Sequence, residues 1–175
     1  MFIFLASLGV LFTATMVAYL IVRFQNASWR TAGQPHLPLG LIASSALILA
    51  ASGTLAWATS SVRKNKPDAM RRALVATLVL GIAFMGAQFL NWVTLSANNL
   101  PPNARSLYAF TFYMLTGVHA IHVVGGFVPL GFCIRNAYRG EYSSMRWNGV
   151  KFCAQYWHFL DVVWFVMLVT MWSVT

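Results

Sequence analysis

Two short stretches hold the side chains whose types and spacing could do chemistry. His158 and Asp161 stand three apart in Tyr156-Trp157-His158-Phe159-Leu160-Asp161-Val162-Val163-Trp164, and His119 and His122 stand three apart in an uncharged run. A spacing of three puts both members of each pair on one helix face. Gln88 and Asn91 repeat that spacing with two amides. Imidazole and carboxylate are metal ligands and proton carriers, and histidines on facing helices can hold a b-type haem. The same groups also hydrogen-bond one helix or subunit to another.

Depth separates these readings. At ~1.5 Å per residue from the basic ends of the segments, His122 and Asp161 lie ~20 Å in, Gln88 and His119 ~24 Å, and His158 ~15 Å. The facing histidines thus differ in depth by ~5–9 Å, a poor match for a shared haem. His-x-x-His with His-x-x-Asp has suitable ligand types for a divalent metal, but His36, in a loop, adds nothing to the set. A transport pathway calls for broken helices or a longer chain of ionisable groups, and Pro129 is the one helix-interior proline. Taken alone, the residues favour a structural membrane subunit whose polar groups make contacts. Asp161 is the single acid in any apolar segment. A buried carboxylate needs a partner, so a bridge from Asp161 to His122, or to another subunit, is expected, with His158 reaching a neighbouring helix or lipid.

The elements that position these groups follow from composition. Of 175 residues, 59% are hydrophobic and 9% charged, with a mean hydropathy of +0.66. Soluble domains carry about 25% charged residues, so the chain is a membrane protein, all-α, in one domain over 1–175. Five segments reach the ~20 residues needed to cross a bilayer: about 1–23, 38–61, 71–97, 106–134 and 149–174. Gly33, Pro35 and Pro38, then Pro67, then Asn98 to Asn103 supply turn chemistry between them.

The net charge is +9, from 12 Lys and Arg against Asp68, Glu141 and Asp161. These cations sit mainly in short loops, which makes them topology signals and removes the nucleic-acid reading. Arg63, Lys64, Lys66, Arg71, Arg72, Arg135, Arg139, Arg146 and Lys151 share one side, against Arg23, Arg30 and Arg105 on the other. The richer side is expected to be cytoplasmic, giving a cytoplasmic N-terminus and a periplasmic C-terminus. The sequon Asn26-Ala27-Ser28 then lies outside and carries no weight. Cys133 and Cys153 lack a CxxC partner, so packing is their expected role. Met1 leads straight into apolar sequence without a basic n-region or A-x-A site, so the first segment is expected to remain in the protein.

Three stripes are expected to pack helix on helix. They are Ser45, Ser52, Ala56 and Thr59; Thr77, Gly81, Phe84, Gln88 and Asn91; and His119, His122 and Gly126 with Pro129.

Phe112-Tyr113-Met114-Leu115-Thr116-Gly117-Val118-His119-Ala120-Ile121-His122-Val123-Val124-Gly125-Gly126 resembles the F-x-x-T-G-x-H-x-x-H-V-x-x-G helix of cytochrome c oxidase subunit III. Tyr156 to Trp164 is similar to that family's Y-W-H-F-V-D-V-V-W, with Leu160 for Val. Weaker likeness covers Phe4-Leu5-Ala6-Ser7 with Ala18, Tyr19 and Arg23, and Leu80-Gly81 with Phe84, Gln88 and Trp92. The resemblance spans all five segments and corresponds to the five-helix form of the subunit.

The resemblance implies a non-catalytic subunit of a bacterial haem–copper terminal oxidase in the plasma membrane. Such a subunit binds no cofactor; haem and copper sit in partner subunits. Its partners would be subunits I and II, a small subunit IV and structural phospholipid, and it would support stability and proton uptake. A quinol oxidase, a nitric oxide reductase component, an oxidase supercomplex and a b-type haem carrier stand as alternatives. His119, His122, His158, Asp161, Gln88 and Asn91 would form a structural intramembrane polar network. Arg63, Lys64, Arg71, Arg72, Arg135 and Arg139 would meet lipid headgroups, or would only set topology. Leu8, Asn91 and Lys151 stand where the family's pattern has glutamates. A role that depends on those carboxylates is therefore expected to be altered.

Overall fold

The computed structural model describes residues 1–25, 40–97 and 107–174. The first and third turn clusters, the Asn26 sequon, Arg30, His36 and Arg105 lie outside the described residues. Five helices make up the fold: α1 Phe2–Gln25, α2 Gly40–Arg63, α3 Pro67–Ala97, α4 Leu107–Tyr138 and α5 Asn148–Val174. All five are long and apolar enough to cross a membrane, and no strand occurs among the described residues.

Two boundaries move from where hydropathy puts them. α3 begins at Pro67 rather than 71, and α4 continues to Tyr138 rather than 134. Hydropathy marks the hydrocarbon slab, whereas a helix ends where its backbone bonds are capped. Proline fits the first turn because the missing N–H there has no acceptor to lose, and Asp68 adds a favourable negative charge to the same turn. α2 and α4 both close with the N–H groups of the next residues folding back on the last carbonyls. Asn65 N bonds Val62 O and Lys66 N bonds Ser61 O; Gly140 N bonds Ala137 O and Glu141 N bonds Asn136 O. Asn65 and Gly140 take the positive φ this closure needs, 53° and 72°. At ~1.5 Å per residue, α3 and α4 run to more than 40 Å, so both project beyond a ~30 Å core.

α2, α3, α4 and α5 form a closed ring, each helix touching its two neighbours, while α1 packs outside against α4 and α5 only. Phe12 is the wedge that seats α1, with its ring 5.1 Å from His122, 6.2 Å from His119 and 6.5 Å from Phe159. The α3 stripe is buried along its whole length: Thr77, Gly81, Phe84, Gln88 and Asn91. The α2 stripe divides, since Ser45 is buried and Ser52 half-buried while Ala56 is exposed.

Trp157 of α5 fills the space where α3, α4 and α5 meet, and glycine makes that space. A Cβ on Gly126 would come within 3.0 Å of Tyr156 and 3.3 Å of Trp157, and one on Gly81 within 3.0 Å of Trp157 and 2.9 Å of Phe127. The Trp157 indole donates to Gly126 O at 3.2 Å. Lipid supplies no hydrophobic force between helices, so such close contacts and interhelical hydrogen bonds carry the assembly.

One end of the bundle gathers the cations. Arg63, Lys64, Arg71, Arg72, Arg135 and Arg139 lie at the ends of α2, α3 and α4, and Asn65 accepts from Ser144 N at 3.0 Å, tying the two turns together. Arg63 sits over Trp147 at 5.8 Å and Lys151 over the same ring at 5.9 Å. Arg71 donates to Ala137 O at 3.0 Å, pairs with Asp68 at 3.2 Å and lies 5.5 Å from the Tyr138 ring. Arg71→Ala is expected to cost about 1.5–3 kcal/mol, the range for a hydrogen bond from a charged donor. Asp68→Ala should cost much less, because its side chain is 79% exposed and screened. Thermal unfolding of the two purified variants checks the order.

Candidate functional site

Interhelical hydrogen bonds link every neighbouring pair in the ring. Ser52 Oγ of α2 and His158 Nδ1 of α5 lie 2.7 Å apart, and the Trp164 indole donates to Ser45 Oγ at 2.9 Å. Gln88 of α3 donates to Ser44 Oγ at 3.2 Å, and Thr54 and Thr77 hydroxyls meet at 2.9 Å. The Trp92 indole donates to Thr116 Oγ1 of α4 at 3.1 Å, and Tyr113 returns a bond to Trp92 O at 3.1 Å. Tyr156 donates to His122 O at 2.8 Å, which closes the ring between α5 and α4.

The six intramembrane residues singled out by sequence divide into three settings. His158 and Asp161 stay together, Nδ1 to Oδ2 at 3.6 Å, beside Ser52. That separation is an ion-pair distance and too long for a hydrogen bond. The expected bridge from Asp161 to His122 is not made. His122 Nδ1 instead meets the Val118 carbonyl of its own helix at 2.7 Å, the i−4 bond open to any polar side chain facing the preceding turn. Asp161 is 8% exposed in its side chain, and neither carboxylate oxygen has a hydrogen-bond partner.

His119 is buried at the centre, 5.2 Å from the Trp164 ring and 6.2 Å from Phe84 and from Phe12. Neither of its ring nitrogens finds a partner. Three aromatic rings thus surround the imidazole. Gln88 spends its N–H on Ser44, leaving its oxygen unpaired. Asn91 packs against Gly40, where a Cβ would collide with its side-chain oxygen. Among the described residues no three His, Cys, Asp or Glu side chains converge as a metal site.

Leu8, Asn91 and Lys151, where the resemblance leads one to expect glutamate, each have a local setting. Leu8 is buried in the apolar core and Asn91 faces α2, while Lys151 is exposed and leans on Trp147. Sequence reasoning missed the indole donors Trp92, Trp157 and Trp164 and the acceptors Ser44 and Thr116. A tryptophan inside an apolar helix seeks a partner for its N–H, and that signal was available in the sequence.

A cavity of about 570 Å³ opens at the basic end between α1, α4 and α5, lined by apolar side chains with Cys133, Cys153, Asn136 and Tyr142. Both cysteines are free and buried. Burial and hydrogen bonding to Cys133 push the Tyr142 phenol, in the turn before α5, up to about 12, so it stays neutral at physiological pH.

Comparison with known proteins agrees with the helix motifs. The family model for cytochrome c oxidase subunit III matches residues 1–174. A cytochrome c oxidase subunit 3 of Thermostichus vulcanus is 27% identical over 174 residues, 99% of this chain and 85% of that protein. One from a Synechocystis strain is 32% identical over 169 residues, 95% of this chain and 71% of that protein. The subunit 3 of Mus musculus is 32% identical over 144 residues, but that match spans only 54% of the mouse protein.

Proposed function

Since the chain belongs to the cytochrome c oxidase subunit III family, we propose that it acts without a redox centre of its own, as the assembly and sustaining subunit of a bacterial haem–copper oxidase. It packs against subunit I in the plasma membrane, with its N-terminus cytoplasmic, and subunit II and a small subunit IV complete the complex. Haem and copper reside in those partners. The carrying observation is the match over residues 1–174 on a bundle of five spanning helices.

The side chains support this reading. His158 and His122 have their Nδ1 atoms engaged at 2.7 Å by Ser52 and by Val118 O, and His119 is enclosed by aromatic rings. These groups pack and orient helices. His119, His122, His158, Asp161, Gln88 and Asn91, in their separate settings, help keep α2 to α5 in register beside the proton-uptake side of subunit I.

The cations at one end lie where phospholipid headgroups sit, each adding about 1 kcal/mol beside an anionic surface. Arg63, Lys64, Arg72, Arg135 and Arg139 are exposed, whereas Arg71 is half-buried and partly committed to Ala137 O. The apolar cavity at that end is large enough to take an acyl chain of a structural phospholipid.

Affinity purification of the tagged chain from membranes in mild detergent tests the proposal. Recovery of haem–copper oxidase subunits in stoichiometric amounts is expected. A chain that purifies without them, from cells making active oxidase, contradicts it.

A further inference from the structure

We propose that Cys133 and Cys153 form a redox-active dithiol that reduces hydroperoxides borne on acyl chains, closing to a disulfide between α4 and α5 on the wall of the apolar cavity. This activity rests on the cavity's taking an acyl chain, as proposed above, and not on which subunits surround the chain.

Three features set the pair apart from packing cysteines. Cys133, near the end of α4, and Cys153, near the start of α5, face each other across the contact between those helices, close enough for the two thiols to interact directly. Both are free, and a bond between them needs no new docking of α4 on α5. Both also line the cavity of about 570 Å³. Cysteines sealed in a packed core are inert, whereas a reactant in this cavity meets both sulfurs. Phe4, Phe132 and Phe152 share the cavity wall and are exposed on the outer surface of spanning helices, so the mouth faces acyl chains. The third feature is the Tyr142 phenol, which stands against Cys133 in a space that Gly149 keeps open. A Cβ on Gly149 would come within 2.7 Å of the phenol oxygen. That phenol keeps its proton at physiological pH.

The reaction uses these groups in order. The Cys133 sulfur attacks the terminal oxygen of the hydroperoxide; an S–O bond forms and the O–O bond breaks. The leaving oxygen takes the proton given up by the thiol and departs as an alcohol, with Tyr142 donating a hydrogen bond to it. Cys133 is then a sulfenic acid, which the Cys153 sulfur attacks. The S–S bond forms, the S–O bond breaks, and the hydroxyl leaves as water with the Cys153 proton. Two thiols lose two electrons and the hydroperoxide gains them, giving one disulfide, one alcohol and one water. A small dithiol restores the pair by exchange.

Membranes holding the wild-type chain, treated with linoleic acid hydroperoxide and digested without reductant, test the pair. Mass spectrometry is expected to find the Cys133 peptide joined to the Cys153 peptide, and to lose that link after dithiothreitol. Hydrogen peroxide should need an about tenfold higher concentration for the same yield, since it does not partition into an apolar cavity. Cys153→Ser should halt the reaction at the Cys133 sulfenic acid, which dimedone traps, and Tyr142→Phe should slow formation of that acid several-fold. Two thiols still reduced after the acyl hydroperoxide, or sulfinic acid without the link, would overturn the dithiol. Equal potency of hydrogen peroxide would overturn the route through the cavity, and an unchanged rate with Tyr142→Phe the part given to the phenol. None of these readouts depends on recovery of oxidase subunits, so the subunit reading and the dithiol fail separately.

Discussion

Replacing Gly126 by valine is expected to produce a large loss of stability in this bundle. A side-chain carbon placed on Gly126 would meet Tyr156 and Trp157 at 3.0–3.3 Å, and both are large side chains held in place. Tyr156 is fixed by its bond to His122 O and Trp157 by its bond to Gly126 O itself. Neither ring can retreat without breaking a hydrogen bond, and Trp157 also closes on Gly81 of α3. Overpacking a tight core costs about 1–3 kcal/mol, and a lost hydrogen bond adds about 0.5–1.5 kcal/mol. Gly131→Val is the matched control, on the same helix a little over one turn further along, because a Cβ there meets nothing within 4 Å. The thermal midpoint of the purified complex should fall by roughly 5 °C or more for Gly126→Val, and stay unchanged for Gly131→Val. Equal midpoints would show that Trp157 does not wedge the three helices as described.

Substituting Asp161 is the second large effect, and it falls on assembly more than on turnover. The carboxylate sits 3.6 Å from His158 Nδ1 and has no hydrogen-bond donor within the chain. Asp161→Asn keeps the shape and removes the charge, so whatever group stabilises the acid loses its counterpart. A hydrogen bond to a charged group is worth about 1.5–3 kcal/mol, which corresponds to about a tenfold or greater loss of assembled complex. Oxygen reduction per assembled complex should remain within about twofold, since the proposed function places no reacting atom on this chain. Yield and specific turnover, measured on the same purification, separate the two effects. Unchanged yield with lost turnover would sink the structural reading of Asp161.

Much of the architecture could be read from apolar run length alone. The helix count and the packing face of α3 emerge from a run of apolar residues interrupted by Thr77, Gly81, Gln88 and Asn91 at helical spacing. Helix ends were less legible, because Arg71 and Arg135 look like loop charges in a hydropathy reading. In the structure they belong to helices that outrun the hydrocarbon. The partner of Asp161 was misplaced for a different reason. Depth counting put His122 level with Asp161, but level says nothing about azimuth. Asp161 faces the α2 side with His158 and Ser52, whereas His122 faces Phe12 of α1. The division of the α2 stripe has the same origin. Ser45 and Ser52 point to α5, while Ala56, further around the helix, points outward.

Motif and geometry also explain each other. The Tyr156-Trp157-His158 triplet sends successive side chains to three places: His122 O, Gly126 O, and Ser52 on the opposite neighbour. One helical turn thereby fixes α5 against both α4 and α2. The Thr116 and His119 stretch of α4 plays the same part toward α3 and α1, through Trp92 and Phe12. Both motifs orient helices and, in the function proposed above, leave the chemistry of oxygen to other chains.

That division of labour is tested most sharply by the distribution of Soret absorbance after the purified complex is separated by stronger detergent into this chain and the remaining subunits. All of the absorbance is expected in the remaining subunits, with none in the fraction holding this chain. A Soret band that travels with this chain, in proportion to its amount, would contradict it.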